Sequence, residues 1–136
     1  MHTHSRFSVT LVAAALLLGS GLVRAHHSMV AEFSQDKPLT LRGTLTQMEW
    51  VNPHGWIYLD VKGAGGRVEN WKIETGAPAR MVKRGLNKTD FKVGDELIVG
   101  AFAAKDGSKS GAGWIVTFVN REKAFPAQEA TFPLGR

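Results

Sequence analysis

The hydrophobic pattern is clearest in residues 39–61, LTLRGTLTQMEWVNPHGWIYLDV. Leu39, Leu41 and Leu45 fall two or four apart, with Thr40, Arg42, Thr44 and Thr46 between and beside them. A period of two puts each set on one face of a β-strand. After Gln47 the phase flips, and Met48 and Trp50 become the apolar positions. A flip of this kind predicts a β-bulge, which bends a strand enough to serve two sides of a barrel. Ile57, Leu59 and Val61 then alternate with Trp56, Tyr58, Asp60 and Lys62 in a second strand. Asn52-Pro53-His54-Gly55 reads as the turn between them, because Pro53 has no N–H for a ladder and ends the first strand.

The pattern continues more weakly. Residues 63–66 are a glycine-rich turn. Residues 67–75 read as a third strand, Trp71 and Ile73 inward, Lys72 and Glu74 outward, with an irregularity between Val68 and Trp71. Residues 76–85 read as a short helix, with Pro78 in its first turn and Gly85 as its stop. Met81, Val82 and Leu86 are expected to face the sheet. Residues 87–93 form a loop before the Gly94-Asp95 turn. Residues 96–104 make a fourth strand with a bend at Gly100, and residues 105–113 a glycine- and serine-rich hairpin loop. In the fifth strand, residues 114–120, Trp114, Val116 and Phe118 alternate with Ile115, Thr117 and Val119. Trp50, Trp71 and Trp114 are expected in the core. Three strands, a helix and two strands predict a mainly β protein, a small five-stranded OB-fold-like barrel with a short helix after strand three. The barrel spans residues 39–120. Residues 26–38 form an extended arm pinned by Phe33 and Met29, and residues 121–136 a surface tail.

The N-terminus changes the picture of compartment. Arg6 precedes an apolar run at residues 9–18, and Gly19, Ser20 and Gly21 break it. Val23-Arg24-Ala25 places small residues where signal peptidase reads them. The run is too short for a transmembrane helix, which needs about 20 residues. Residues 1–25 are therefore expected to be a cleavable signal peptide, with cleavage after Gly21 as an alternative, and the mature protein to be periplasmic with no transmembrane segment. Loss of Arg6 and Arg24 lowers the net charge from +5 to +3. A charge that small is a weak footprint for a polyanion, so nucleic acid is not expected as a partner. The chain has no cysteine, which excludes disulfides, thiolate metal sites and a Cys nucleophile.

Several short motifs carry a family likeness. They are Ala25-His26-His27-Ser28, Pro38-Leu39-Thr40-Leu41 with Gly43 and Thr44, Glu49-Trp50-Val51-Asn52-Pro53-His54 with Trp56, and Asn70-Trp71. Arg84-Gly85-Leu86, Gly94-Asp95 and Lys105-Asp106-Gly107-Ser108 follow. Together they resemble an uncharacterised family of small exported bacterial proteins, a domain of unknown function. The resemblance covers nearly all the mature chain. It implies export and supplies no catalytic residues.

Two constellations carry candidate chemistry. Cleavage after Ala25 makes His26 the N-terminal residue, whose amine and Nδ1 can chelate one ion. Imidazole and amine nitrogens favour copper among divalent first-row metals. His27 adds a second imidazole, His54 a third if the arm folds across the first hairpin, and Met29 or Met48 are soft ligands for Cu(I). Such a site needs neutral histidines and weakens below roughly pH 6. The plainer account is that terminal histidines only solubilise and His54 only braces its turn. The second constellation is the OB-type ligand face. Asn52, Pro53 and His54 lie in its first loop, residues 105–111 in its second, and Trp56, Tyr58 and Lys72 on its strands. Aromatics beside a cation can stack on bases or sugars, though Asp60 and Glu74 share that face. The run Arg80, Lys83, Arg84 and Lys88 reads as a solvated helix face. No Walker loop, nucleophile elbow or H-E-x-x-H is present, so no enzyme is expected. Two functions follow as expectations. One is a small periplasmic binding module for copper through His26, His27 and His54. The other is a metal-independent interaction or accessory module using the barrel face and first hairpin loop, with a protein or small ligand as partner.

Overall fold

The structure, a computed structural model, describes residues 29–119 and the backbone of residues 129–131. Among the described residues there are six strands: β1 (Phe33–Glu49), β2 (Gly55–Lys62), β3 (Val68–Gly76), β4 (Glu96–Ala104), β5 (Ser110–Phe118) and β6 (Glu129–Thr131). Two short helices accompany them, α1 (Met29–Glu32) before β1 and α2 (Pro78–Lys83) between β3 and β4. The long β1 pairs with β4 through Thr44 and with β2 from Gly43 onward, both antiparallel. β2 pairs with β3, and β4 with β5. β3 and β5 then meet in parallel, Lys72 opposite Ser110 and Glu74 opposite Ala112. The first five strands therefore close in a ring of order 1-2-3-5-4, and β6 adds to β5 outside it. This mainly β architecture, with the helix after strand three, is the one the alternation predicted. No helix among the described residues is long and apolar enough to cross a membrane.

The bulge falls where the phase flips. Leu45 pairs with Leu59 and Gln47 with Tyr58, so Thr46 is the extra residue. Its Oγ1 donates to the Tyr58 carbonyl at 3.1 Å. Leu41 and Leu45 thus point inward before the bulge and Met48 packs inward after it. Ile57, Leu59, Ile73, Leu97, Val99 and Val116 complete a fully buried interior. Strand crossing at Gly43 leaves no room for a side chain: a Cβ there would lie 2.7 Å from the Asp60 carbonyl oxygen.

Some expectations are corrected. Val82 does not face the sheet but is 51% exposed. The helix ends in a Schellman motif, Leu86 N–H to the Met81 carbonyl at 3.0 Å and Gly85 N–H to the Val82 carbonyl at 2.9 Å. Gly85 takes the positive φ this requires, and Met81 and Leu86 form the buried apolar pair. Trp114 is not a core residue. Gly100 pairs with Ile115 and Ala101 with Gly113, which makes Trp114 the bulged residue of β5 and leaves it 37% exposed. β3 pairs without a break from Val68 to Glu74, and the irregularity lies instead between Gly55 and Trp56 of β2. β1 begins at Phe33 rather than Leu39. Its pairing jumps from Phe33–Ala104 to Pro38–Phe102, and the excess residues hide the alternation. Phe33 is buried, as an anchor should be. Within residues 87–93, a single 3-10 turn closed by Asn87 and Asp90 delivers Phe91 to the core.

Candidate functional site

The outward face of β2 and β3 is built by register. Trp56 lies opposite Glu74, Tyr58 opposite Lys72 and Asp60 opposite Asn70. Gln47 and Glu49 of β1 extend the face past Tyr58 and Trp56. Lys72 Nζ sits 4.1 Å from the centroid of the Trp56 ring and 5.7 Å from that of Tyr58. The Tyr58 hydroxyl donates to Glu49 Oε1 at 3.0 Å, and Gln47 Nε2 donates to the same oxygen at 3.0 Å. Trp56, Tyr58 and Lys72, singled out in the sequence, are therefore brought together in one cluster.

His54 ends the turn before β2, and its Nδ1 pairs with Glu74 Oε1 across the sheet. The Glu74 side chain is only 10% exposed, the His54 ring 37%. Glu74 was expected to point into solvent. It does lie on the outer face, but it sits opposite Ala112 of β5 in the register, its carboxylate is paired with His54, and little of the side chain stays exposed. Asn52 and Pro53 stay exposed at the tip of the turn, joined by a cis peptide bond. His26 and His27 lie outside the described residues, as does the expected signal peptide. Among the described residues, no three His, Asp or Glu side chains gather closely enough to hold a metal ion.

Beside Trp56 lies a cavity of about 410 Å3. α1 and the start of β1 form one wall through Ala31, Glu32 and Phe33, and the β4–β5 loop forms another through Lys105, Asp106 and Ser108. The two walls are tied: Lys105 N–H donates to the Glu32 carbonyl at 2.9 Å, and Lys105 Nζ to the Val30 carbonyl at 2.7 Å. The loop was expected to flank a ligand face. The contribution of α1 was not, because residues 29–32 show no period in the sequence. A second cluster joins Lys109 to Glu69 at 2.9 Å, with Trp71 Nε1 donating to the same carboxylate at 3.2 Å. Both contacts, Lys109 first, hold the Glu69 carboxyl below its usual range.

Asp106 gives the loop a pH dependence. The backbone N–H of Ser108 donates to its Oδ1 at 2.9 Å. That bond, with the Ser108 hydroxyl second, holds the carboxyl below its ordinary value. A depressed folded value stabilises the loop above the unfolded pKa of ~3.9, and the contribution is lost as pH falls through the lower folded value. The Ser108 amide proton is expected to titrate with a midpoint below ~3.9 in an NMR pH series, and to stop titrating in Asp106→Asn. A midpoint at or above the ordinary value would contradict the assignment.

Residues 15–113 match the profile of a family of unknown function, DUF6152. The chain belongs to that family. No curated protein and no solved structure matches it. Membership spans the turn at His54, the Trp56–Lys72 face and the whole cavity wall, and it assigns a role to none of them.

Proposed function

We propose that this member of the family is an exported, periplasmic binding module that takes up copper, with His54 as a prepared ligand and His26 and His27 completing the set. The His54–Glu74 pair carries the proposal. Metal-binding histidines commonly donate one ring N–H to a carboxylate, which fixes tautomer and orientation and leaves the other nitrogen a better donor. His54 engages a buried carboxylate through Nδ1 while its ring stays 37% exposed, so Nε2 is the nitrogen left for a metal. Chain length supports the rest. Three residues separate Ala25 from Met29, a reach of about 10 Å when extended. They lead into α1, which shares a cavity with Trp56, the cross-strand partner of Glu74. Cleavage after Ala25 would add an amine to the imidazoles, a donor set that favours Cu(II). A metal-independent interaction module is supported by a different observation, the exposed tip formed by Val51, Asn52 and Pro53. In neither proposal is the protein an enzyme.

Calorimetric titration with Cu(II) tests the metal. The protein is exported and processed in a bacterium, beside a version with one residue added before His26, both N-termini confirmed by mass spectrometry. One-to-one binding that is lost on extension and weakened by His54→Ala is the expected result. Equal, weak binding by both proteins would overturn the copper site and leave the interaction module.

A further inference from the structure

We propose that the cavity beside Trp56 binds a neutral carbohydrate, one sugar ring stacking on the indole and its hydroxyls meeting the polar walls. The volume of about 410 Å3 lies within the usual span for small-molecule sites, roughly 300–1,000 Å3. The lining decides the ligand class. It sets one indole among Glu32, Lys105, Asp106, Ser108 and Ser110. A cationic ligand would seek the indole and the carboxylates, but the Lys72 ammonium already lies 4.1 Å from the Trp56 ring centroid and repels a second positive charge. An anionic ligand meets Glu32 and Asp106, which offset the ammonium groups of Lys105 in the lining and Lys72 on the indole and leave no net positive charge to hold it. A wholly apolar ligand would strip water from five polar side chains and return no hydrogen bonds. A neutral polyhydroxylated ring avoids all three penalties. Its C–H face suits the indole, and its hydroxyls donate to carboxylates and accept from serine and lysine. The walls are also held in place before any ligand arrives. Lys105 ties the loop to α1 at two points, and the Ser108 N–H turns Asp106. Preorganisation of this kind lowers the ordering cost of binding. The site is separate from the copper proposal and survives its failure.

The test is protein-observed NMR on the processed full chain. The probes are three neutral disaccharides (chitobiose, cellobiose and maltose), with glucuronate as the anionic control and choline as the cationic one. Saturable shifts with at least one disaccharide, confined to the Trp56 indole N–H and the amides of residues 105–110, are expected. Neither control should produce them. Affinity should fall about tenfold or more in Trp56→Ala, which removes the stacking surface, and in Ala104→Phe, which fills the cavity. No shift with any disaccharide into the millimolar range, shifts elsewhere on the protein, or shifts with the charged probes alone would overturn the proposal. The wild-type shifts decide it even where a variant fails to fold.

Discussion

Replacing Leu45 with alanine is expected to lower the unfolding free energy by about 3–5 kcal/mol, the upper part of the range for buried leucines. Leu45 is fully buried and sits at the point where β1 turns from β4 to β2. Its backbone is held there by the Gly94-Asp95 turn on one side, with Leu59 of β2 opposite it on the other. Its N–H donates to the Asp95 carbonyl at 2.8 Å, and its carbonyl accepts from the Gly94 N–H at 2.8 Å. The side chain is therefore fixed to strands that a closed ring cannot draw inward, and the space left by truncation stays open. A loss of that size is a large share of the roughly 5–15 kcal/mol that stabilises an ordinary domain. Urea unfolding of the processed protein measures it. Val93→Ala, at a residue 71% exposed, is the control and should shift stability by less than about 0.5 kcal/mol. A Leu45→Ala loss below about 1 kcal/mol would show that the ring collapses around the gap.

Leu45 also shows what a period of two can reveal. The alternation at Leu41, Leu45, Ile57, Leu59 and Ile73 names the interior correctly, because each contact there is set by the strand's own pleat. The phase flip names the bulge for the same reason. Trp114 is misread because a bulge shifts the chain by a residue that alternation does not count, and Val82 because a helix turns about 100° per residue, so the position after buried Met81 points away. Phe91 is missed because one 3-10 turn delivers it rather than a strand. The site is less legible than the core. Trp56, Tyr58 and Lys72 could be grouped by assuming a hairpin register. The burial of Glu74 could not, since it depends on the parallel contact of β3 with β5 and on His54, 20 residues away. The cavity is least legible of all, because its walls come from α1, β2 and the β4–β5 loop, and only ring closure brings them together.

The His54–Glu74 pair gives the other large effect, and it separates two roles for the histidine. His54→Ala strands a buried carboxylate without its partner, and a cost of about 1–3 kcal/mol is expected. Glu74→Gln removes the charge and leaves a half-exposed imidazole that water can serve, so it should cost less. The double variant should be more stable than the sum of the two losses predicts, by a coupling of about 0.5–3 kcal/mol, because no buried charge remains to be stranded. Urea unfolding of the four proteins measures that term, and additivity within error would mean the contact contributes nothing. Copper then asks a second question of the same proteins. If Glu74 orients His54 as a ligand, Glu74→Gln should weaken Cu(II) binding by about 10–100-fold although it removes no donor atom. If the pair only braces the turn, the coupling persists in the unfolding data while Cu(II) affinity is the same in all four proteins. The stability cycle and the metal titration thus fail independently. A positive result in both would make Glu74 the positioning residue of a copper site, with Trp56 and the sugar cavity next to it on the same face.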